Sequence, residues 1–136
     1  MWQTRFNILC SILKLYNYPD IVALQETHSG NFEHEKKWNN QLKKHYRTFF
    51  SRGNSRQNGT AILVGIHVPF QLKMEHEDLD GRYTILTGTL LGELVTLASI
   101  YGPVHQQDKG PFFDKLITND LQGLLYLMGD YNATVN

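Results

Sequence analysis

Two acids in this chain stand where a carboxylate can do chemistry. Asp20-Ile-Val-Ala-Leu-Gln-Glu-Thr-His28 holds a short apolar run, Ile21 to Leu24, that stops at Gln25-Glu26. Leu124-Leu-Tyr-Leu-Met128 runs in the same way into Gly129-Asp130-Tyr131-Asn132. Short continuous apolar runs of this kind read as strands buried on both faces. In layered α/β architectures, strand ends are where ligands collect. Glu26 and Asp130 are 104 positions apart, so only the fold can bring them together. Joined, with amide oxygens beside them, they would form a hard-oxygen site suited to Mg²⁺ or Mn²⁺. Such an ion polarises a phosphoryl oxygen and stabilises the leaving oxygen, while the second acid orients or deprotonates water. Taken singly, each acid reads as a cap or turn residue, and Asp-Tyr-Asn is ordinary turn composition.

Other chemistries find less support. The six histidines (28, 34, 45, 67, 76 and 105) lack the spacing of zinc ligands. His28 lies nearest the proposed site and reads as a structural residue, or one that supports the site's own residues, in preference to a catalytic one. There is no glycine-rich phosphate loop, and Gly129-Asp130 does not follow a serine elbow. The lone Cys10 sits at an apolar helical position and reads as a buried, reduced thiol.

Composition narrows the class further. The chain has 136 residues, 41% of them apolar and 19% charged, which is enough for a real hydrophobic core. No apolar run approaches the roughly 20 residues of a membrane span, and the N-terminus lacks the pattern of a secretory signal. Net charge is zero but uneven. Residues 1–60 carry nine Lys/Arg against four Asp/Glu, and residues 61–136 carry the reverse, four against nine. Between Glu35 and Glu75 there are eight Lys/Arg and no acid. A basic stretch beside an acidic site can attract a polyanion while the acids hold a divalent cation. It reads equally as a solvated helix face with basic loops.

The elements that must position the acids follow from periodicity. Phe6, Leu9, Ile12, Leu13 and Tyr16 predict an amphipathic helix over 6–17, ended by Tyr18-Pro19. A strand over 20–25 follows, then a surface helix over 33–45 with Trp38 and Leu42 four apart. Strands are expected at 46–51, 59–66, 72–77, 82–90 and 94–101, with an exposed polar loop at 52–58. Asp80-Gly81 and Gly92-Glu93 supply turns. In the strand at 94–101, Val95, Leu97, Ser99 and Tyr101 share one face. A helix over 112–121 precedes the last strand. This order is mixed α and β, an antiparallel run flanked by helices, and it predicts a layered sandwich.

Five segments carry a resemblance. Residues 20–28, Asn58-Gly-Thr-Ala-Ile-Leu63, Asp80-Gly-Arg82, Ser99-Ile-Tyr-Gly-Pro103 and Gly129-Asp-Tyr-Asn132 resemble, in order, the motifs of the endonuclease/exonuclease/phosphatase superfamily. They are most similar to the apurinic-type endonuclease domain of non-LTR (LINE-type) retrotransposons. The resemblance implies a four-layered α/β sandwich of the DNase I-like type and Mg²⁺- or Mn²⁺-dependent cleavage of phosphodiesters. It implies Glu26 as metal ligand and Tyr101 as a hydrogen-bond donor to the scissile phosphate. Asp130 would activate the water and Asn132 would help position it or the phosphate. Asp80 and Arg82 fall in a mainly structural motif, while Arg52 and Arg56 are expected DNA-backbone contacts.

The departures shape the expectation. The family opens with a strand bearing an Asn at the metal site and continues past Gly-Asp-x-Asn to a closing Asp-His pair. Ser99 stands where many members have Asn. The sequence is therefore expected to be one incomplete domain over 1–136, lacking the first strand and the C-terminal strands. The leading expectation is part of a Mg²⁺-dependent DNA-nicking endonuclease of a retrotransposon, with little or no activity as an isolated chain. A non-catalytic retroelement remnant with weak metal or DNA binding is the alternative. A relative acting on lipid or small phosphoesters is a second. DNA is the expected partner, with no membrane, and the compartment is the nucleus if the chain acts on chromosomal DNA.

Overall fold

The computed structural model describes the backbone of residues 2–29, 31–53 and 58–132. The order is α1 (Trp2–Leu15), β1 (Ile21–Gln25), α2 (Phe32–Leu42), β2 (Tyr46–Ser51), β3 (Thr60–Gly65), β4 (Phe70–Glu77), β5 (Tyr83–Leu90), β6 (Glu93–Tyr101), α3 (Gln106–Ile117) and β7 (Leu124–Asp130). The strands form two sheets, ordered β1-β3-β2 and β4-β5-β6-β7. All neighbours are antiparallel except β6 and β7, which run parallel and are joined by the α3 crossover.

Alternation along β3 explains the layering. This strand is wholly buried, and successive side chains leave it on opposite faces. Ala61 and Leu63 pack with Phe6 and Leu13 of α1 and Trp38 and Leu42 of α2. Ile62 and Val64 face the other sheet, meeting Phe70, Leu86, Val95 and Leu97. On that sheet's far side, Tyr83, Ile85, Ala98 and Ile100 hold Leu116 of α3. The result is a four-layered α/β/β/α sandwich with three apolar interfaces. Each fully buried Leu, Ile or Val among them contributes roughly 1.5–3 kcal/mol. Trp38 is the hub of the first layer, tilted against Phe6 at 4.9 Å and edge-on to Phe50 at 5.5 Å.

The local signals mostly act as expected. Asn31 caps α2 by accepting from the His34 N–H at 3.0 Å, and Glu33 and Glu35 lie in the first turn. Leu91 (φ 51°) and Gly92 (φ 83°) make the two-residue turn between β5 and β6.

Four expectations need correction. Neither strand that delivers an acid is buried on both faces. β1 is half-buried throughout, because it pairs on one side only, with β3. β7 pairs only with β6, and Leu124, Leu125, Tyr126 and Leu127 are 43–51% exposed. The third helix begins at Gln106, six residues before the expected start, and takes Pro111 into its interior. Ile12 and Tyr16 of the first helical stripe point outward, leaving Phe6 and Leu13 as its buried anchors. Cys10 is half-buried and unpaired, with burial raising its thiol pKa. The loop expected over 52–58 lies largely outside the described residues.

Candidate active site

The first acid is delivered by an abrupt end to β1. Glu26 and His28 both adopt left-handed backbone (φ 52° and 56°), which costs a residue with a Cβ free energy. The segment is pinned all the same. Thr27 N–H donates to Gly59 O at 3.0 Å and His28 N–H to Asn58 O at 3.1 Å. Gly59 must be glycine, because its φ is +91° and a Cβ there would collide with Thr27 Oγ1. Asn58 is fixed in turn, its amide donating to Asp80 O at 2.9 Å, and Gly59 N–H reaches Gly81 O at 2.9 Å. The Asn58-Gly59 and Asp80-Gly81 segments thus clamp the loop that carries Glu26.

The second acid comes from the other sheet. In the parallel register, Tyr101 of β6 lies opposite Asp130 of β7. The loops beyond both strands then lock together. Gly102 N–H donates to Asp130 O at 2.7 Å, and the Asn132 amide donates to Gly102 O at 2.6 Å. Asn132 N–H binds Asp130 Oδ1 at 3.0 Å, so one carboxylate oxygen orients the turn while the exposed side chain keeps the other.

The sheets are tied together beneath these ends. Gln25 Nε2 donates to Ser99 Oγ at 3.0 Å, and Ser99 Oγ donates to Leu24 O at 2.8 Å. Ser99 is fully buried, and its short hydroxyl lets β1 cross β6 closely. Tyr101 is the meeting point. Its phenol is held protonated above its usual range, first by burial, then by the charge of Glu26 and a hydrogen bond to it. Asp130 adds to that effect and Arg82 opposes it. The Arg82 guanidinium lies 5.0 Å over the Tyr101 ring and donates to Tyr101 O at 3.2 Å. Glu26, Tyr101, Asp130 and Asn132 are therefore brought together from three distant sequence segments.

The Glu26 side chain is 43% exposed, and His28 Nε2 lies 4.0 Å from Glu26 Oε1. Burial and the charge of Arg5 lower the His28 pKa, against the opposing pull of Glu26, so the ring is neutral at pH 7. A cleft of about 280 Å³ opens beside Glu26, between α1 (Arg5, Ile8, Leu9) and the end of β1. Among the described residues no group of three His, Cys, Asp or Glu side chains could hold a metal. A single open carboxylate flanked by a neutral phenol and a neutral imidazole still fits Mg²⁺, which keeps most of its water.

Of the two arginines expected to contact DNA, only Arg52 lies among the described residues. Both ends of the Arg52 fork, Nε and Nη2, donate to the Glu35 carboxylate at 2.8 Å. Arg56 lies outside the described residues. Asp80 is exposed, and the acid that organises its turn is Asp78, which sequence reasoning missed. Asp78 Oδ2 accepts from Arg82 N–H at 2.9 Å and Oδ1 from Lys115 Nζ at 2.9 Å. The available signal was its place as first residue of the turn closed by Gly81 N–H on Asp78 O, where Asp is favoured. Gln25 was also missed, although it directly precedes Glu26.

Solved structures share this fold. TDP2 from Caenorhabditis elegans matches with a TM-score of 0.66 and 24% identity, over 96% of this chain and 56% of that one. An AP endonuclease from Archaeoglobus fulgidus matches at 0.63 and 25% identity, over 96% and 53%. The catalytic domain of Xenopus laevis APE2 matches at 0.67 and 17% identity, over 94% and 54%. The chain thus spans little more than half the length of these structures, and it shares their DNase I-like sandwich. A model of the Endonuclease/Exonuclease/phosphatase family matches residues 2–136. That match takes in every helix and strand described above, and the chain belongs to the endonuclease/exonuclease/phosphatase family.

Proposed function

We propose that this chain carries the centre of a divalent-metal-dependent phosphodiester hydrolase that nicks DNA, of the kind found in LINE-type retrotransposons. The observation that carries the reading is the convergence of strand ends: Tyr101 lies opposite Asp130 in the β6–β7 register, and β1, which ends at Glu26, is bonded to β6 through Gln25 and Ser99. Nucleases of this superfamily generally use divalent metal ions such as Mg²⁺. Glu26 would hold that ion, which supplies a Lewis acid at a phosphoryl oxygen. The chain's own residues do the rest. Asp130 accepts a proton from water, Asn132 and Tyr101 orient the phosphate, and Arg82 steadies the Tyr101 ring. DNA as substrate is supported by the neighbours, among them D. rerio TDP2 solved with a single strand DNA product. Arg52 would reach a phosphate only by giving up Glu35. The retrotransposon assignment rests on the order of the five motifs.

A second reading, binding without turnover, is favoured by the exposure of β7, whose apolar residues present both faces to solvent. Incubating supercoiled plasmid with the purified chain and Mg²⁺ or Mn²⁺ separates the two. Metal-dependent nicking that disappears in Glu26→Ala and in Asp130→Ala supports the enzyme. Intact plasmid, with a metal-dependent rise in the unfolding temperature, supports binding alone. Nicking that survives both substitutions refutes the assigned site, and turnover confined to phosphoinositide or small phosphoesters refutes DNA as substrate.

A further inference from the structure

His28 is the buried group that the reading above leaves unused. Its side chain is only 9% exposed, and its Nε2 is buried with no hydrogen-bond partner among the described residues. A buried polar atom with no partner is uncommon, and it calls for a reason. Glu26 Oε1 lies 4.0 Å away. Two features bring the ring there. The left-handed backbone at His28 turns its side chain back toward Glu26, two residues earlier. The hydrogen bond from His28 N–H to Asn58 O then fixes the turn. The Glu26 carboxylate, by contrast, is nearly half exposed.

We propose that His28 is a positioning residue for Glu26, its Nε2 closing onto one Glu26 carboxylate oxygen and leaving the other for the cation. This inference rests on the proposal that Glu26 binds a divalent cation. One carboxylate oxygen is then left for the ion, while Tyr101 and His28 hold the group from the protein side. Charged-group hydrogen bonds of this kind are often long in the absence of ligand and tighten when it binds. Partners of ligating carboxylates typically change metal affinity about 10-fold to 100-fold when removed.

The test is calorimetric titration of Mn²⁺ into the wild-type chain and into Glu26→Gln, His28→Asn and His28→Gln, with unfolding temperatures measured in EDTA. Asn suits the left-handed backbone but presents its amide where Nδ1 stood, short of Glu26. Gln places its amide nitrogen near the position of Nε2. The expected result is that His28→Asn binds Mn²⁺ about 10-fold to 100-fold more weakly, while His28→Gln stays within about 3-fold of wild type. Equal affinity in all three His28 forms, or losses that follow the EDTA unfolding temperature alone, would overturn the positioning role. Wild-type binding that survives in Glu26→Gln would overturn the metal site and leave His28 nothing to position. Absence of Mn²⁺ binding in the wild type would overturn both.

Discussion

Asp78→Ala should be the most costly single polar substitution outside the apolar layers, and its cost can be worked from the contacts. The carboxylate is buried, with its side chain 2% exposed, and it accepts two donors. The Arg82 N–H bond, at 2.9 Å to an ionised acceptor, is of the charge-assisted class worth about 1.5–3 kcal/mol. The Lys115 pair contributes less. That lysine side chain is 53% exposed, so water screens it, and about 0.5 kcal/mol is a fair allowance. The sum is about 2–3.5 kcal/mol. With an unfolding entropy of about 2.1 cal/mol/K per residue, this corresponds to a fall of roughly 7–12 °C in Tm. Asp78→Asn keeps an acceptor for Arg82 N–H and should lose about half as much. Lys115→Ala should cost under about 1 kcal/mol. Urea unfolding of the three variants, at constant m-value, measures each quantity. A loss below about 0.5 kcal/mol in Asp78→Ala would refute the reasoning, as would a Lys115→Ala cost that accounts for all of it. The loss matters to the site because Arg82, anchored by Asp78, lies over the Tyr101 ring.

Other consequences can be checked separately. Glu26→Gln should lower the Tyr101 phenol pKa, since the Glu26 charge and hydrogen bond both raise it; Asp130→Asn should lower it less. Ultraviolet titration above pH 9, with Tyr101→Phe to assign the signal, reads both shifts. The same phenol sets a sign for stability. A folded-state pKa above the unfolded value near 10 means that the contribution is complete below about pH 10 and is lost as pH rises further. Tyr101→Phe should flatten that alkaline fall in denaturant midpoints. Gly59→Ala should cost about 1–3 kcal/mol, through its +91° φ and the Thr27 collision, and should weaken Mn²⁺ binding by displacing Glu26. Leu91→Asn should raise stability by about 0.5–1 kcal/mol, because Leu91 is 83% exposed and sits at φ 51° in the β5–β6 turn. An unchanged midpoint would count against that turn geometry.

Period-two patterns made the antiparallel strands legible. The faces of β6 were readable because Val95 and Leu97 must meet the facing sheet while Ala98 and Ile100 meet α3. Burial of β1 and β7 was misread for one physical reason. An unbroken apolar run records the environment that its side chains suit, and it carries nothing about which edges are paired. Ile21 to Leu24 and Leu124 to Leu127 therefore read as core although each strand has a partner on one side only. The start of α3 was hidden by Gly110-Pro111, which look like a helix boundary. Proline in a helix interior costs one backbone bond and is normally excluded.

The site was half legible, and the division follows side-chain chemistry against backbone conformation. Glu26, Tyr101, Asp130 and Asn132 stand out because their functional groups and motif order can be read directly from the sequence. The devices that aim them are left-handed backbone angles at Glu26, His28, Asn58 and Asn132, and no residue type announces these with certainty. Asn is tolerant of such angles; Glu and His are not. Each strained residue is held by a bond from a different segment: Asn58 by Asp80 O, His28 by Asn58 O, Asn132 by Gly102 O. The strain at Glu26 persists only while that chain of bonds is intact. Cutting it at any link should therefore release Glu26, even at positions that never approach the substrate. Asn58→Ala tests this most directly, because it removes the Asp80 contact and leaves all four site residues in place. Weaker Mn²⁺ binding with the sandwich still folded would mean that the clamp sets the geometry of Glu26. Unchanged binding would mean that β1 alone suffices.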